Sequence, residues 1–348
     1  MTISLHLNEQ ERTAAATGRA ARLGRMQPRH AAALVLFAAL AAVPFIATFA
    51  GGPYLVTIAS RIVIMALAAI GLNLVLGYGG LVSFGHALYI GLGAYAVGIA
   101  TQHGLDNGLA HIAIALGAGG LLALVLGAIS LRTSGMAFIM ITLAFAQMAY
   151  VSAVSLRGYG GEDGLQIAGS SRFGPFDLSN ATVLYYVAFV LLAAVALLTS
   201  RLVVSRFGMV LRATKFNEQR MVALGFKTFR FKLIAYVISA MICVIAGILQ
   251  ANLTHFVSPA YMQWTVSGEL IVMVVLGGMA TVIGPIVGAV VLLLIEDQLS
   301  GIDLGLPGGA DAFVSAHWLA FLGLFIVATA LVMKRGLYGT LVGEGDKL

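Results

Sequence analysis

The feature that most constrains this chain is a succession of apolar runs, each about long enough to cross a lipid bilayer. A spanning helix needs roughly 20 apolar residues, rising about 1.5 Å each, to cross about 30 Å of hydrocarbon. Such runs cover approximately residues 31–50, 56–76, 84–102, 109–130, 135–155, 182–200, 232–251 and 317–333. One further stretch, 267–295, is interrupted by Gly277, Gly278, Gly284 and Pro285. It is too long for one straight span and reads as two short helices meeting at the break. Only 10% of the 348 residues are charged and 60% are hydrophobic, against roughly 25% charged in soluble domains. A water-soluble globule is excluded. The expected fold class is an all-α integral membrane protein, a single polytopic helical bundle of about 8–10 transmembrane segments including broken helices.

Charge placement orients that bundle, because basic residues accumulate on the cytoplasmic side. The net charge of +6 therefore reports topology and gives no reason to invoke nucleic acid. Residues 1–30, with Arg12, Arg19, Arg22, Arg25 and Arg29, read as a cytoplasmic basic tail. The apolar run after them is too long for a cleavable signal. Successive crossings put Arg132 inside, Glu162 and Asp163 outside, and the stretch from Arg201 to Lys232 inside. That stretch holds eight Lys or Arg residues against one acidic residue, Glu218. If the broken stretch enters and returns, Glu296, Asp297, Asp303 and Asp311 fall outside and Lys334 with Arg335 inside. The expected organisation is a permease domain over 31–335, with a cytoplasmic loop at 201–232 and a cytoplasmic C-terminal tail at 336–348.

Three segments carry candidate chemistry. In the first, GLNLVLGYGGLVSFGHALYIGLGAY from Gly71 to Tyr95, closely spaced glycines let helices approach or let backbone face a cavity. Irregular backbone at this depth must be buried in protein or line water. Asn73, Ser83, Gly85 and His86 are candidate pathway residues there. For the polar three, interhelical hydrogen bonding competes with a transport role. The second segment is the basic loop from Arg206 to Phe226, which alternates apolar and polar residues at helical spacing and ends at Gly225 as a helix C-cap would. A short amphipathic helix here could lie on headgroups or dock into a partner's groove. The third is the break itself, with Gly277, Gly278 and Gly284 as further pathway candidates. Glu269 reads as the only carboxylate near the apolar part of a span. Trp264 places it near the outer boundary, so it is read as an interfacial anchor ahead of a proton relay. Duplication relating Gly77–Gly85 to Gly277–Gly284 is an open alternative to chance similarity.

No catalytic constellation is evident. The histidines are dispersed without paired ligand spacing, the serines lack a GxSxG elbow, and Cys243 is the only cysteine, so metal, hydrolase and disulfide chemistry find no support. No P-loop is present, so ATP, if it drives this protein, must be bound by another chain.

At these residues the chain resembles the permease family of branched-chain amino-acid ABC importers, specifically the M-type (LivM-like) subunit. Gly71–Tyr95 is similar to that family's GLNLxxGYxGxxSxGHAxxxGxGAY. TLAFAQ at Thr142–Gln147, GGEDGL at Gly160–Leu165, RATKFNE at Arg212–Glu218, VLGGM at Val275–Met279 and RGLYG at Arg335–Gly339 follow in the family's order. Tyr159 and Lys334 stand where many members carry Thr and Pro.

The resemblance implies partners: a second, homologous H-type permease, two cytoplasmic subunits that bind ATP and Mg, and a periplasmic solute-binding protein. No cofactor is expected in this chain, and it is not expected to be an enzyme. The chain is expected in the bacterial inner membrane, multi-pass, with both termini cytoplasmic. It also implies that Gly208, Arg212, Asn217, Glu218 and Gly225 belong to a loop that couples to the ATPase. Urea, short amides or aromatic acids are alternative cargoes. A stand-alone ion-coupled carrier or channel is the rival outside the class.

Overall fold

The computed structural model describes residues 28–50, 52–105, 107–167, 169, 171–173, 176–300, 317–333 and 336–342. Most of the expected basic tail, Asp303, Asp311, Lys334 and Arg335 lie outside them. By internal contacts, residues 43–341 form one compact unit, and the described residues 28–42 and 342 fall outside it. Helix α1 (Pro28–Ala50) enters this unit at Val43.

This unit is helical almost throughout. Its elements are α2 (Pro53–Asn73), continued by a π-helical turn at Leu74–Tyr78, α3 (His86–Gln102), α4 (Gly108–Ser130), α5 (Met136–Ser155), α6 (Ala181–Val204), α7 (Arg206–Phe216), α8 (Glu218–Ala223), α9 (Thr228–Thr254), α10 (Trp264–Gly277), α11 (Gly284–Ser300), α12 (Trp318–Val332) and α13 (Gly336–Val342). All nine expected apolar stretches are helical, and the interrupted one is two helices, α10 and α11. Among the described residues, five helices are long and apolar enough to cross a membrane: α2 with its π turn, α4, α5, α6 and α9. The protein is an all-α, multi-pass membrane protein.

Local sequence explains the boundaries. α2 opens on Pro53, where a missing N–H costs nothing. Asn107 and Asn180 cap α4 and α6 by accepting from Leu109 N and Thr182 N, both at 3.0 Å.

Burial separates an inner from an outer set of helices. In the most apolar stretch of α2, 78% of residues are buried, and 67% in α9, whereas α4 and α5 each bury only 22%. In a membrane, apolar residues on the outer set face lipid at no cost. α2, α3 and α9 therefore form the core. Small residues set its tightness: a Cβ at Gly93 would overlap the Val244 carbonyl, and one at Gly247 would overlap that of Ile90.

Away from the basic loop, the connection after α5 is pinned to the core by short strands. β1 (Leu165–Gln166) pairs antiparallel with β4 (Phe256–Val257), while β2 (Arg172–Phe173) pairs with β3 (Phe176–Asp177). His111, fully buried on α4, donates from Nε2 to the Leu105 carbonyl, so its Nδ1 accepts from Ser171 Oγ at 2.8 Å. Ser171 N donates to Asn252 at the end of α9.

Candidate translocation and coupling site

Three breaks in regular structure meet at the end of the bundle that carries the basic loop. The first follows Asn73, where α2 loosens into the π turn, a form often found at functional sites. Gly79, Gly80 and Leu81 donate back to Leu74, Leu76 and Val75. The chain then runs irregularly to α3, and its donors are met by side chains. Phe84 N reaches Thr142 Oγ1 at 3.2 Å, Gly85 N reaches Ser83 Oγ at 3.3 Å, and Ala87 N reaches Ser267 Oγ at 2.9 Å. An unmet N–H in hydrocarbon would cost several kcal/mol, which explains these hydroxyls. Thr142 opens the TLAFAQ stretch.

The second break, residues 278–283, is the tip of a hairpin formed by α10 and α11. The two helices cross so closely that a Cβ at Gly277 would overlap the Gly284 carbonyl, and one at Gly288 that of Met273. Thr281 ties the tip by donating to Gly278 O (2.8 Å) and accepting from Gly284 N (3.0 Å). Ala280 adopts φ +61, rare without glycine.

Asn73 joins the two breaks. Its side-chain nitrogen donates to Thr281 O at 2.7 Å and its oxygen accepts from Ala280 N at 3.1 Å, across 208 and 207 residues of sequence. Gly77 makes room for this clamp, since a Cβ there would strike both Asn73 Oδ1 and Ala280 N. A Cβ at Gly336 would likewise strike Gly278, which brings the start of α13 to the tip.

The third element is the basic loop. Where one amphipathic helix was expected, two are found, because Asn217 ends α7 and caps α8 by accepting from Arg220 N at 2.9 Å. Gly225, at φ +86, closes α8, with Phe226 N donating to Met221 O as in a Schellman cap. Gly208 permits the turn out of α6, since a Cβ would overlap the Val203 carbonyl. Glu218 pairs with Lys232 at 2.7 Å, tying α8 to α9. Arg212 lies within electrostatic reach of Tyr78. Leu211 joins Leu74, Tyr78, Val203 and Ala235 in one buried cluster. Lys215 completes the link: its Nζ donates to the Gly77 carbonyl at 2.8 Å, its stem lying over Gly80. Phe216, at 87% exposed, with Val222, Leu224 and Phe226, leaves apolar surface uncovered on this loop.

His86 sits deeper, fully buried, and joins helices. Ser239 donates to Gly71 O, so it accepts from His86 Nε2 at 2.8 Å. His86 Nδ1 then accepts from Ser83 Oγ at 3.0 Å. Tyr89 and Tyr236 meet the ring edge-on. The candidates thus divide. Asn73, Gly277, Gly278 and Gly284 gather at the tip, whereas Ser83, Gly85 and His86 belong to an interhelical network.

Sequence reasoning missed Lys215 and Arg61. Arg61 pairs with Glu296 at 3.2 Å, its side chain 46% exposed, and Glu269 lies within electrostatic reach of both. Glu269 therefore has a second carboxylate near it, at helical depth. A lone arginine amid the apolar residues of 56–76 was the available signal.

Broken helices meeting within a multi-pass apolar bundle define a class of membrane transport protein. The chain belongs to the family described as branched-chain amino acid transport system / permease component, which it matches over residues 54–333. It is similar to the high-affinity branched-chain amino acid transport system permease protein LivM of Salmonella typhimurium, 28% identical over 271 residues, which cover 70% of this chain and 63% of that protein. The LivM of Escherichia coli is 27% identical over the same shares. The chain thus spans less than two thirds of the length of these relatives. No solved structure matches it.

Proposed function

We propose that this chain is the membrane-spanning subunit of an ATP-driven importer for branched-chain or related amino acids, working by alternating access. The observation that carries the reading is the continuous link from α7 through Lys215 to the Gly77 carbonyl, and from Asn73 to the hairpin tip. A force applied to the basic loop has a hydrogen-bonded path into both breaks. The exposed apolar side chains of α7 and α8 are the surface on which a cytoplasmic ATPase would seat them.

In this reading the basic loop and both termini face the cytoplasm of a bacterial inner membrane. A homologous permease stands beside this chain, two ATPase subunits bind ATP and Mg below it, and a periplasmic binding protein delivers cargo. Residues 31–335 form the permease domain, flanked by cytoplasmic tails. The chain supplies a path and a lever, with hydrolysis done elsewhere.

Reconstitution tests this. The chain co-purified with its partner subunits should accumulate L-leucine in proteoliposomes only with ATP, and lose accumulation when the partners' hydrolysis is disabled. Accumulation by the purified chain alone, driven by an ion gradient, would replace this reading with an ion-coupled carrier.

A further inference from the structure

Arg61, Glu269 and Glu296 lie much deeper than sequence position suggests. The hairpin tip is level with Asn73 and the π turn, where the Lys215 ammonium docks. An ammonium on a long stem marks the edge of the hydrocarbon. Counting from that level, Glu269 is eight residues up α10 from Gly277, about 12 Å at 1.5 Å per residue. Arg61 and Glu296 are each twelve residues from Asn73 and Gly284, about 18 Å. In a layer about 30 Å thick this is the middle. Trp264, only five residues above Glu269, marks no outer boundary here.

Charges at that depth that faced lipid would be costly. Yet Arg61 is 46% exposed on its side chain, Glu296 21%, and Glu269 is exposed on the adjoining helix. Past Arg61, α2 is buried without interruption to Gly79, so the exposed face stops at the ion pair. Lipid is therefore a poor neighbour for this face, and its composition suits a polar solute. One guanidinium faces two carboxylates, of which only Glu296 is paired with it. Glu269 accepts no hydrogen bond among the described residues.

We propose that these three residues form an intramembrane station for a zwitterion. The substrate carboxylate takes the Arg61 guanidinium, displacing Glu296, and the substrate ammonium is received between Glu296 and Glu269. The Arg61 guanidinium stays paired throughout, and the ammonium brings a partner to Glu269, which has none before the substrate arrives. The station rests on the importer reading above and deepens it. The binding protein need not be the sole selector, because the path itself discriminates for paired opposite charges.

The experiment uses the assembled complex in proteoliposomes with radiolabelled L-leucine. ATP-dependent uptake by the unmodified complex comes first; its absence would sink the importer reading, whatever the station does. With uptake established, R61Q should lower it at least tenfold and E269Q several-fold, while R61K retains most of it. The exchange R61E/E296R keeps an ion pair, and should assemble normally with the ATPase yet stay at least tenfold impaired. Recovery of full uptake in the exchange would show a purely structural salt bridge and overturn the station. So would full uptake in both R61Q and E269Q. A cysteine at Thr57, one turn from Arg61, should react in the assembled complex with a charged methanethiosulfonate. Complete protection in a complex that transports normally would mean that the face is sealed against a neighbouring subunit, and would also overturn it.

Discussion

The two ends of α2 are held by opposite means. At its C-terminal end, Asn73 and the π turn are buried; Asn73 bonds to the backbone of Ala280 and Thr281, and the Gly77 carbonyl accepts from the Lys215 ammonium. Toward its N-terminal end, Arg61 and Tyr54 reach Glu296 and Asp297 across half-open surface. Buried bonds to backbone groups have no water at hand to replace them. Exposed ion pairs exchange partners readily and contribute little to stability. The difference teaches which end acts as a joint and which is free to meet a solute.

The contrast can be broken most forcefully at the hairpin. Gly288→Val would drive a side chain into the Met273 carbonyl, and we expect loss of monodisperse protein in size-exclusion chromatography. Asn73→Leu removes both clamp bonds and leaves Ala280 N and Thr281 O unmet, at about 1–3 kcal/mol each. A marked fall in thermal midpoint with at least tenfold slower uptake is expected. Lys215→Met keeps the stem over Gly80 but loses the bond to Gly77. It should leave folding and ATPase binding intact while cutting the uptake obtained per ATP hydrolysed several-fold. Tyr54→Phe, which removes one exposed bond to Asp297, should change thermal stability by no more than about 0.5 kcal/mol. If Tyr54→Phe proved as damaging as Asn73→Leu, the distinction between the two ends would fail.

How much of this was legible in the sequence depended on range. Apolar runs marked the spans because lipid dictates their length. Gly277 and Pro285 marked the hairpin tip, and Gly225 the end of α8, because glycine and proline act locally. The long-range partners were hidden. Nothing near Asn73 announces Ala280, over two hundred residues away, and Lys215 looked like one of eight basic residues in a cytoplasmic loop. The expected single helix over 206–226 became two because Asn217 serves as a cap, a preference that the apolar spacing masked. His86 was ambiguous for a physical reason. A buried ring beside glycines is equally consistent with a site and with a node, and only the positions of Ser83 and Ser239 distinguish them. Glu269 reads as an interfacial anchor from the nearby Trp264, and the neighbours that make it more than that, Arg61 and Glu296, lie over two hundred and nearly thirty residues away in sequence.

The central claim is that motion of the basic loop reaches the hairpin tip through Lys215 and Asn73. Met279, half-exposed at that tip, can be replaced by cysteine in a chain whose one native thiol, Cys243, is buried. Its labelling rate in the assembled complex, compared with and without trapped nucleotide, reads the motion directly. The account predicts a several-fold change on trapping that largely disappears in Lys215→Met. An equal change in both proteins would contradict it.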